Sequence, residues 1–234
     1  MYLGIIRKNN MIKLETKYTK RIITDNGLNS LYQGRINRIM RRLKKKTAQG
    51  VEMTGWIKYI QHYDKKEIKA MINTARQWHK QKIKKVIVIG IGGSYLGIKA
   101  GLDMLSSEFE GRGMQVYFAH NFNQNYLLSM INGLGKCPFG IIIISKSGTT
   151  LEPAIAFSLF SFCKFIEELL LFVFYKKLIK NVGQAKADKL IVTVTDKEKG
   201  NFAKAAADKK WTKFIIPNNI GGRYSALTPA GMFL

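Results

Sequence analysis

At 234 residues, 46% of them hydrophobic, the chain can form one large domain or two small ones around a packed core. Its net charge of +24 is uneven: residues 1–85 hold 22 Lys and Arg against 5 Asp and Glu, so the excess precedes the first glycine-rich loop. A basic half can serve nucleic acid or an anionic membrane, but no nucleic-acid-reading motif accompanies its aromatics Tyr59, Tyr63 and Trp78, and solvated lysine-rich helices are the plainer reading. Neither partner is expected. Cys137 and Cys163 lie far apart without His or Cys neighbours at metal-ligand spacing, so a reducing compartment and no structural metal are expected. The amino terminus carries no apolar segment of the signal-peptide kind. The longest apolar run, Leu169–Tyr175, is far short of the roughly 18–20 residues of a membrane span, which makes the cytoplasm the expected location.

In chain order, residues 1–27 are polar and poorly patterned. Leu28, Leu31, Ile36, Ile39, Met40 and Leu43 recur at helical spacing and predict a helix within 28–49. "GVEMTGW" at 50–56 interrupts it, and a second helix is expected over 64–82, capped by Asp64. Strand–helix alternation then begins. "KVIVIGI" (85–91), "QVYFAH" (115–120), "GIIIIS" (140–145), "KLIVTVT" (189–195) and "KFIIP" (213–217) read as strands of a buried parallel sheet, with helices between them. The segment 158–183 is apolar on all sides, which suits a fully buried helix. The fold expected is α/β: a doubly wound, mainly parallel five-stranded sheet over 85–234 flanked by helices, preceded by a basic, mainly helical region over 1–84.

Three loops fall at strand carboxyl ends, where such sheets bind ligands. The first, "GIGGSYLG" (90–97), fits neither common nucleotide loop. Tyr95 stands where a dinucleotide-binding G-x-G-x-x-G needs its third glycine, and Gly97 is followed by Ile98 where a P-loop needs Lys-Ser/Thr. What remains is a turn whose backbone N–H groups, the Ser94 hydroxyl and a helix N-terminus can surround an anion, or a tight turn without a ligand. The second, "SKSGTTLEP" (145–153), places Ser145, Lys146, Ser147, Thr149 and Thr150 within six residues. Four hydroxyls exceed what a helix cap uses, and they suit the three terminal oxygens of a phosphate monoester. The third, "NNIGGRYSALTPAG" (218–231), presents Arg223 after Gly221 and Gly222. A guanidinium there can stabilise an oxyanion, although a lone arginine in a turn is more simply a surface residue.

Together these loops, with "GVEMTGW" and "VYFAHN", resemble the phosphoglucose isomerase (glucose-6-phosphate isomerase) family from about Gly50 onward. The resemblance implies a sugar-isomerase-domain fold, glucose 6-phosphate and fructose 6-phosphate as substrates, no cofactor and no metal. It implies that Gly93, Ser94 and Gly222 line the sugar, and that Ser145, Lys146, Ser147, Thr149 and Thr150 bind its phosphate. It assigns Arg223 to the cis-enediolate formed as a proton moves between C1 and C2, and Glu152 to the support of a ring-opening histidine. Family members continue into a second domain that carries the proton-transferring glutamate, the ring-opening histidine and a lysine. Here the sequence stops 11 residues after Arg223, and His62, His79 and His120 carry no motif for ring opening. The chain is therefore expected to be a poor or inactive isomerase alone, and either to aggregate or to depend on a partner, a homodimer of the kind typical of the family or a complementing carboxy-terminal chain. A non-catalytic sugar-phosphate-binding module is the alternative, disfavoured because a sensor has no use for the "IGGRYSALTPAG" arginine.

Overall fold

The computed structural model describes residues 25–105, 113–121, 123–146 and 170–233. The chain divides into two compact units, Met1–Val51 and Glu52–Leu234. In the first, helix α1 spans Asp25–Lys44 and carries Arg41, Arg42 and Lys44 in its last turn, beside the negative end of the helix dipole. It stops short of residue 49 because Lys46 adopts φ +56°, in the left-handed region that ends a helix. The basic region before residue 85 is split between the units, since its second long helix belongs with the sheet.

In the second unit a 3₁₀ turn (Val51–Met53 at its boundary) and a short helix α2 (Trp56–Tyr59) lead to α3 (Lys65–Lys80). Asp64 caps α3 by accepting from the N–H of Lys66 at 2.7 Å. The strands are β1 (Lys85–Ile89), β2 (Gln115–Ala119), β3 (Gly140–Ser145), β4 (Ile191–Thr195) and β5 (Thr212–Ile215). Among the described residues they form one sheet in the order β2-β1-β3-β4-β5, with every pair parallel. Between them run α4 (Gly93–Leu105), α5 (Gln124–Leu134), a helical stretch over 170–182 (α6), α7 (Gln184–Asp188) and α8 (Asn201–Asp208). After β5 come a 3₁₀ segment (Gly222–Leu227) and α9 (Pro229–Met232).

The β-branched runs are buried as their composition requires. Val86 to Ile89 and Ile141 to Ile143 are wholly shielded from solvent, which follows from helices covering both faces of a parallel sheet. Trp78 of α3 lies so close to β3 that a Cβ at Gly140 would meet its ring at 2.5 Å; glycine there lets the indole reach the strand. Phe233, just after α9, packs edge-on against Trp78, with ring centres 5.9 Å apart, and brings the last described residue into the same core.

The described part of the apolar helix differs from expectation. In α6, Leu170, Phe174 and Leu178 are buried while Phe172, Lys176 and Lys180 are exposed. The period of four marks an amphipathic helix with one face on the sheet, and the lysines at 176 and 180 lie on its exposed side. Its partner α7 is joined to it by Asp188, whose carboxylate accepts from Tyr175 Oη at 2.5 Å, Trp211 Nε1 at 2.7 Å and Gln184 Nε2 at 2.9 Å.

Candidate functional site

The strand order fixes where a ligand can enter. From β1 the chain steps outward to β2, then returns to place β3 on the other side of β1. At such a switch point the two following loops diverge to opposite faces and leave a crevice at the strand carboxyl ends. The glycine loop follows β1, and Ser145 and Lys146 end β3.

In the glycine loop, Gly92 adopts φ +58°, a conformation that disfavours a side chain. The turn closes through Ser94 N–H to Ile91 O (3.2 Å) and Leu96 N–H to Gly92 O (3.1 Å), and α4 begins at Gly93. Gly93 is held against the third loop. A Cβ there would stand 2.6 Å from Gly222 O and 3.3 Å from Arg223 N. One turn later a Cβ at Gly97 would stand 2.6 Å from Ala226 Cβ. Two sequence motifs about 130 residues apart thus interlock backbone to backbone, an approach only glycine permits.

The third loop is pinned from several sides. Thr54 forms an antiparallel bridge with Ile220, and Gly55 N–H donates to Asn219 O at 2.9 Å. The Trp56 ring stacks on Tyr224 with centres 4.6 Å apart and planes 7° from parallel. Ser225 Oγ donates to Gly222 O at 2.7 Å, and Thr228 Oγ1 to Ser225 O at 2.7 Å. From the second loop, the Lys146 ammonium donates to Asn218 O at 3.0 Å and to Ile220 O. Burial lowers the Lys146 pKa, and the negative charge of Asp196 partly offsets this. Asp196, at the end of β4, is itself buried, which acts to raise its pKa. The N–H groups of Glu198 and Lys199 and the charges of Lys199 and Lys146 outweigh that and leave it lowered.

Arg223 is exposed at a cleft of about 210 Å³ that Trp56, Tyr59, Ile220, Tyr224, Ala226 and Leu227 also line. Among the described residues no carboxylate pairs with its guanidinium, so its charge is open to an incoming anion. Ser145 is buried at the end of β3, and Ser94 is half-buried in the first turn of α4. Ser147, Thr149, Thr150 and Glu152 lie outside the described residues. Of the expected site residues, Gly93, Ser94, Ser145, Lys146, Gly222 and Arg223 therefore gather at the ends of β1, β3 and β5.

His120 is committed elsewhere. Its ring stacks on Tyr95 with centres 4.7 Å apart, Nδ1–H donates to Phe118 O at 2.9 Å, and Nε2 accepts from the Asn121 amide at 3.2 Å. Both nitrogens are engaged locally, and the stack on Tyr95 is what ties the glycine-loop helix to the end of β2. Sequence reasoning missed this role of Tyr95 and His120, and it missed the tie from Lys146 to the third loop. The sequence singled out Lys146 as part of the hydroxyl-rich 145–150 cluster, as a phosphate ligand and not as a tie to another loop.

The family model for phosphoglucose isomerase matches residues 10–234. The chain belongs to the phosphoglucose isomerase family. Among its relatives, the glucose-6-phosphate isomerase of Streptococcus mutans serotype c is 38% identical over 198 residues, covering 81% of this chain and 41% of that protein. The glucose-6-phosphate isomerase of Mycoplasmoides gallisepticum is 35% identical over 207 residues, 88% of this chain and 45% of the relative. The chain thus spans less than half the length of these relatives. In fold it is similar to a hypothetical protein of Thermus thermophilus, with a TM-score of 0.67 and 24% identity over 87% of this chain and 44% of the other.

Proposed function

We propose that this chain provides the sugar-phosphate-binding half of a glucose-6-phosphate isomerase. The reaction is the reversible conversion of glucose 6-phosphate to fructose 6-phosphate by proton transfer between C2 and C1. The carrying observation is the interlock of the glycine loop and the Arg223 loop at the β1/β3 switch point.

Removing the proton from C2 of the open-chain aldose leaves negative charge on the enediolate oxygens. A positioned guanidinium that stays protonated stabilises that charge as it develops, the kind of contact whose loss costs about 10²–10³ in turnover. Arg223 suits this role because no described carboxylate neutralises it. Ser145, Ser147, Thr149 and Thr150 are the proposed donors to the phosphate, with Ser94 at the sugar. Glu152 is proposed to support ring opening, with the proton-transferring carboxylate and the ring-opening histidine coming from a complementing carboxy-terminal polypeptide. A homodimer is the proposed assembly once that half is present.

The test uses the purified chain. Fructose 6-phosphate is expected to raise its melting temperature, while a coupled isomerase assay reads no turnover until the carboxy-terminal half is added. A melting temperature unmoved by millimolar fructose 6-phosphate refutes the binding role. Full turnover by the chain alone refutes the division of labour.

A further inference from the structure

Lys146 leaves the carboxyl end of the central strand β3, and its ammonium reaches the backbone oxygens of Asn218 and Ile220 beyond β5. Two strand spacings, roughly 10 Å, separate β3 from β5, and a long flexible stem is needed to bridge them. An ammonium has three donors and no acceptor. Two are engaged by carbonyl oxygens, and the carboxylate of Asp196, at the end of the intervening strand β4, is close enough to act on its charge. At most one donor remains for a phosphate. Ile220 is fully buried, so removing the ammonium leaves its carbonyl oxygen without this donor. Arg223 stands three residues on, at the start of the 3₁₀ segment that Gly93 touches.

We propose that Lys146 is a positioning residue: its ammonium ties β3 to the 218–220 backbone and so holds Arg223 in register with the glycine loop, instead of serving as the principal cation for the substrate phosphate. The consequence for catalysis rests on the reading of Arg223 given above; the tie itself does not. A lysine that binds phosphate waits for its ligand, whereas this one is occupied before any ligand arrives.

The experiment is hydrogen–deuterium exchange on the purified chain without sugar phosphate, comparing wild type, Lys146→Met and Lys146→Arg. Met keeps the apolar stem and loses the donors; Arg keeps donors able to reach two carbonyls. Exchange in the peptide containing the Ile220 and Tyr224 amides is expected to quicken by about tenfold in Lys146→Met, through local opening. It returns toward wild type in Lys146→Arg, while β1 and β3 stay protected in both. Loop exchange in Lys146→Met that matches wild type overturns the proposal. If Lys146→Met loosens β1 and β3 as well, acetylation rates in the wild-type chain decide. Lys146 reacting more slowly than exposed Lys58 without any anion supports the tie, and equal rates with protection only on adding inorganic phosphate overturn it. No readout contains substrate, so a wild-type chain that ignores fructose 6-phosphate refutes the isomerase reading and leaves this inference to its own data.

Discussion

Replacing Gly93 by alanine tests the interlock directly. The backbone of Gly93 is helical rather than left-handed, so alanine meets no conformational penalty there and the cost is steric. The new methyl would stand 2.6 Å from Gly222 O and 2.8 Å from its carbonyl carbon. Ordinary contact begins near 3.4 Å, which means a shift of about 0.8 Å in a backbone already fixed by the Ser225 hydroxyl and by the Gly97–Ala226 contact. Overpacking of this kind costs about 1–3 kcal/mol. For a unit of this size the melting temperature should fall by about 2–12 °C. Because the displaced atoms lead directly into Arg223, the rise in melting temperature with fructose 6-phosphate should also shrink. Gly101, on the same helix, is the control: nothing stands within 4 Å of a Cβ there, and alanine should stabilise by about 0.5–1 kcal/mol. Scanning fluorimetry with and without fructose 6-phosphate reads both. If Gly93→Ala melts like wild type and keeps its ligand shift, the two loops do not touch and the site is wrongly assembled.

Arg223→Ala should leave the melting temperature within about 2 °C of wild type, since surface changes cost within about ±0.5 kcal/mol, yet lower the turnover of the complemented enzyme by about 10²–10³; unchanged turnover would remove Arg223 from the site. Burial acts to raise the Asp188 pKa, but hydrogen bonds from Trp211, Tyr175 and Gln184 and the charge of Lys209 leave it lowered. A carboxylate with a lowered folded pKa stabilises above its unfolded value and loses that contribution as pH falls through the folded one. Asp188→Ala should therefore cost stability at pH 7, and the cost should shrink as falling pH protonates the carboxyl, as a denaturation series from pH 7 downward would read. In the same cluster the Tyr175 phenol is pushed up to about 12 by burial and by its bond to Asp188, so one tyrosine should titrate late in an ultraviolet pH series. Burial raises the Glu67 pKa despite the N–H of Ile215 that its carboxylate accepts at 2.8 Å. Stability from this group falls as pH rises from the unfolded value through the raised one. Glu67→Gln, which keeps an acceptor for Ile215, should equal or exceed wild-type stability at pH 7, and a clear loss there would contradict the account.

The strands were legible because burial on both faces of a parallel sheet demands runs such as "VIVI" and "IIII", and those runs are local. Asp64 announced a helix start for the same reason, since a cap bonds N–H groups two or three residues away. The three loops were legible as chemistry, because hydroxyls, glycines and an arginine clustered within a few residues at strand ends. The amphipathic face of α6 was harder to read, since the period of Leu170, Phe174 and Leu178 lies inside a nearly continuous apolar run.

The sequence by itself determined the local chemistry of this protein: which segments must be buried, which turns need glycine, and which loops carry anion-binding groups. Only the tertiary structure decided that Gly93 and Gly222 share one point in space, that Gly140 admits Trp78, and that Lys146 is spent on the backbone of Asn218 and Ile220. Local preference acts through neighbours along the chain and leaves a signature in spacing. Contacts between residues about 60 to 130 positions apart depend on strand order and on the reach of single side chains, and neither leaves a periodic trace in one sequence.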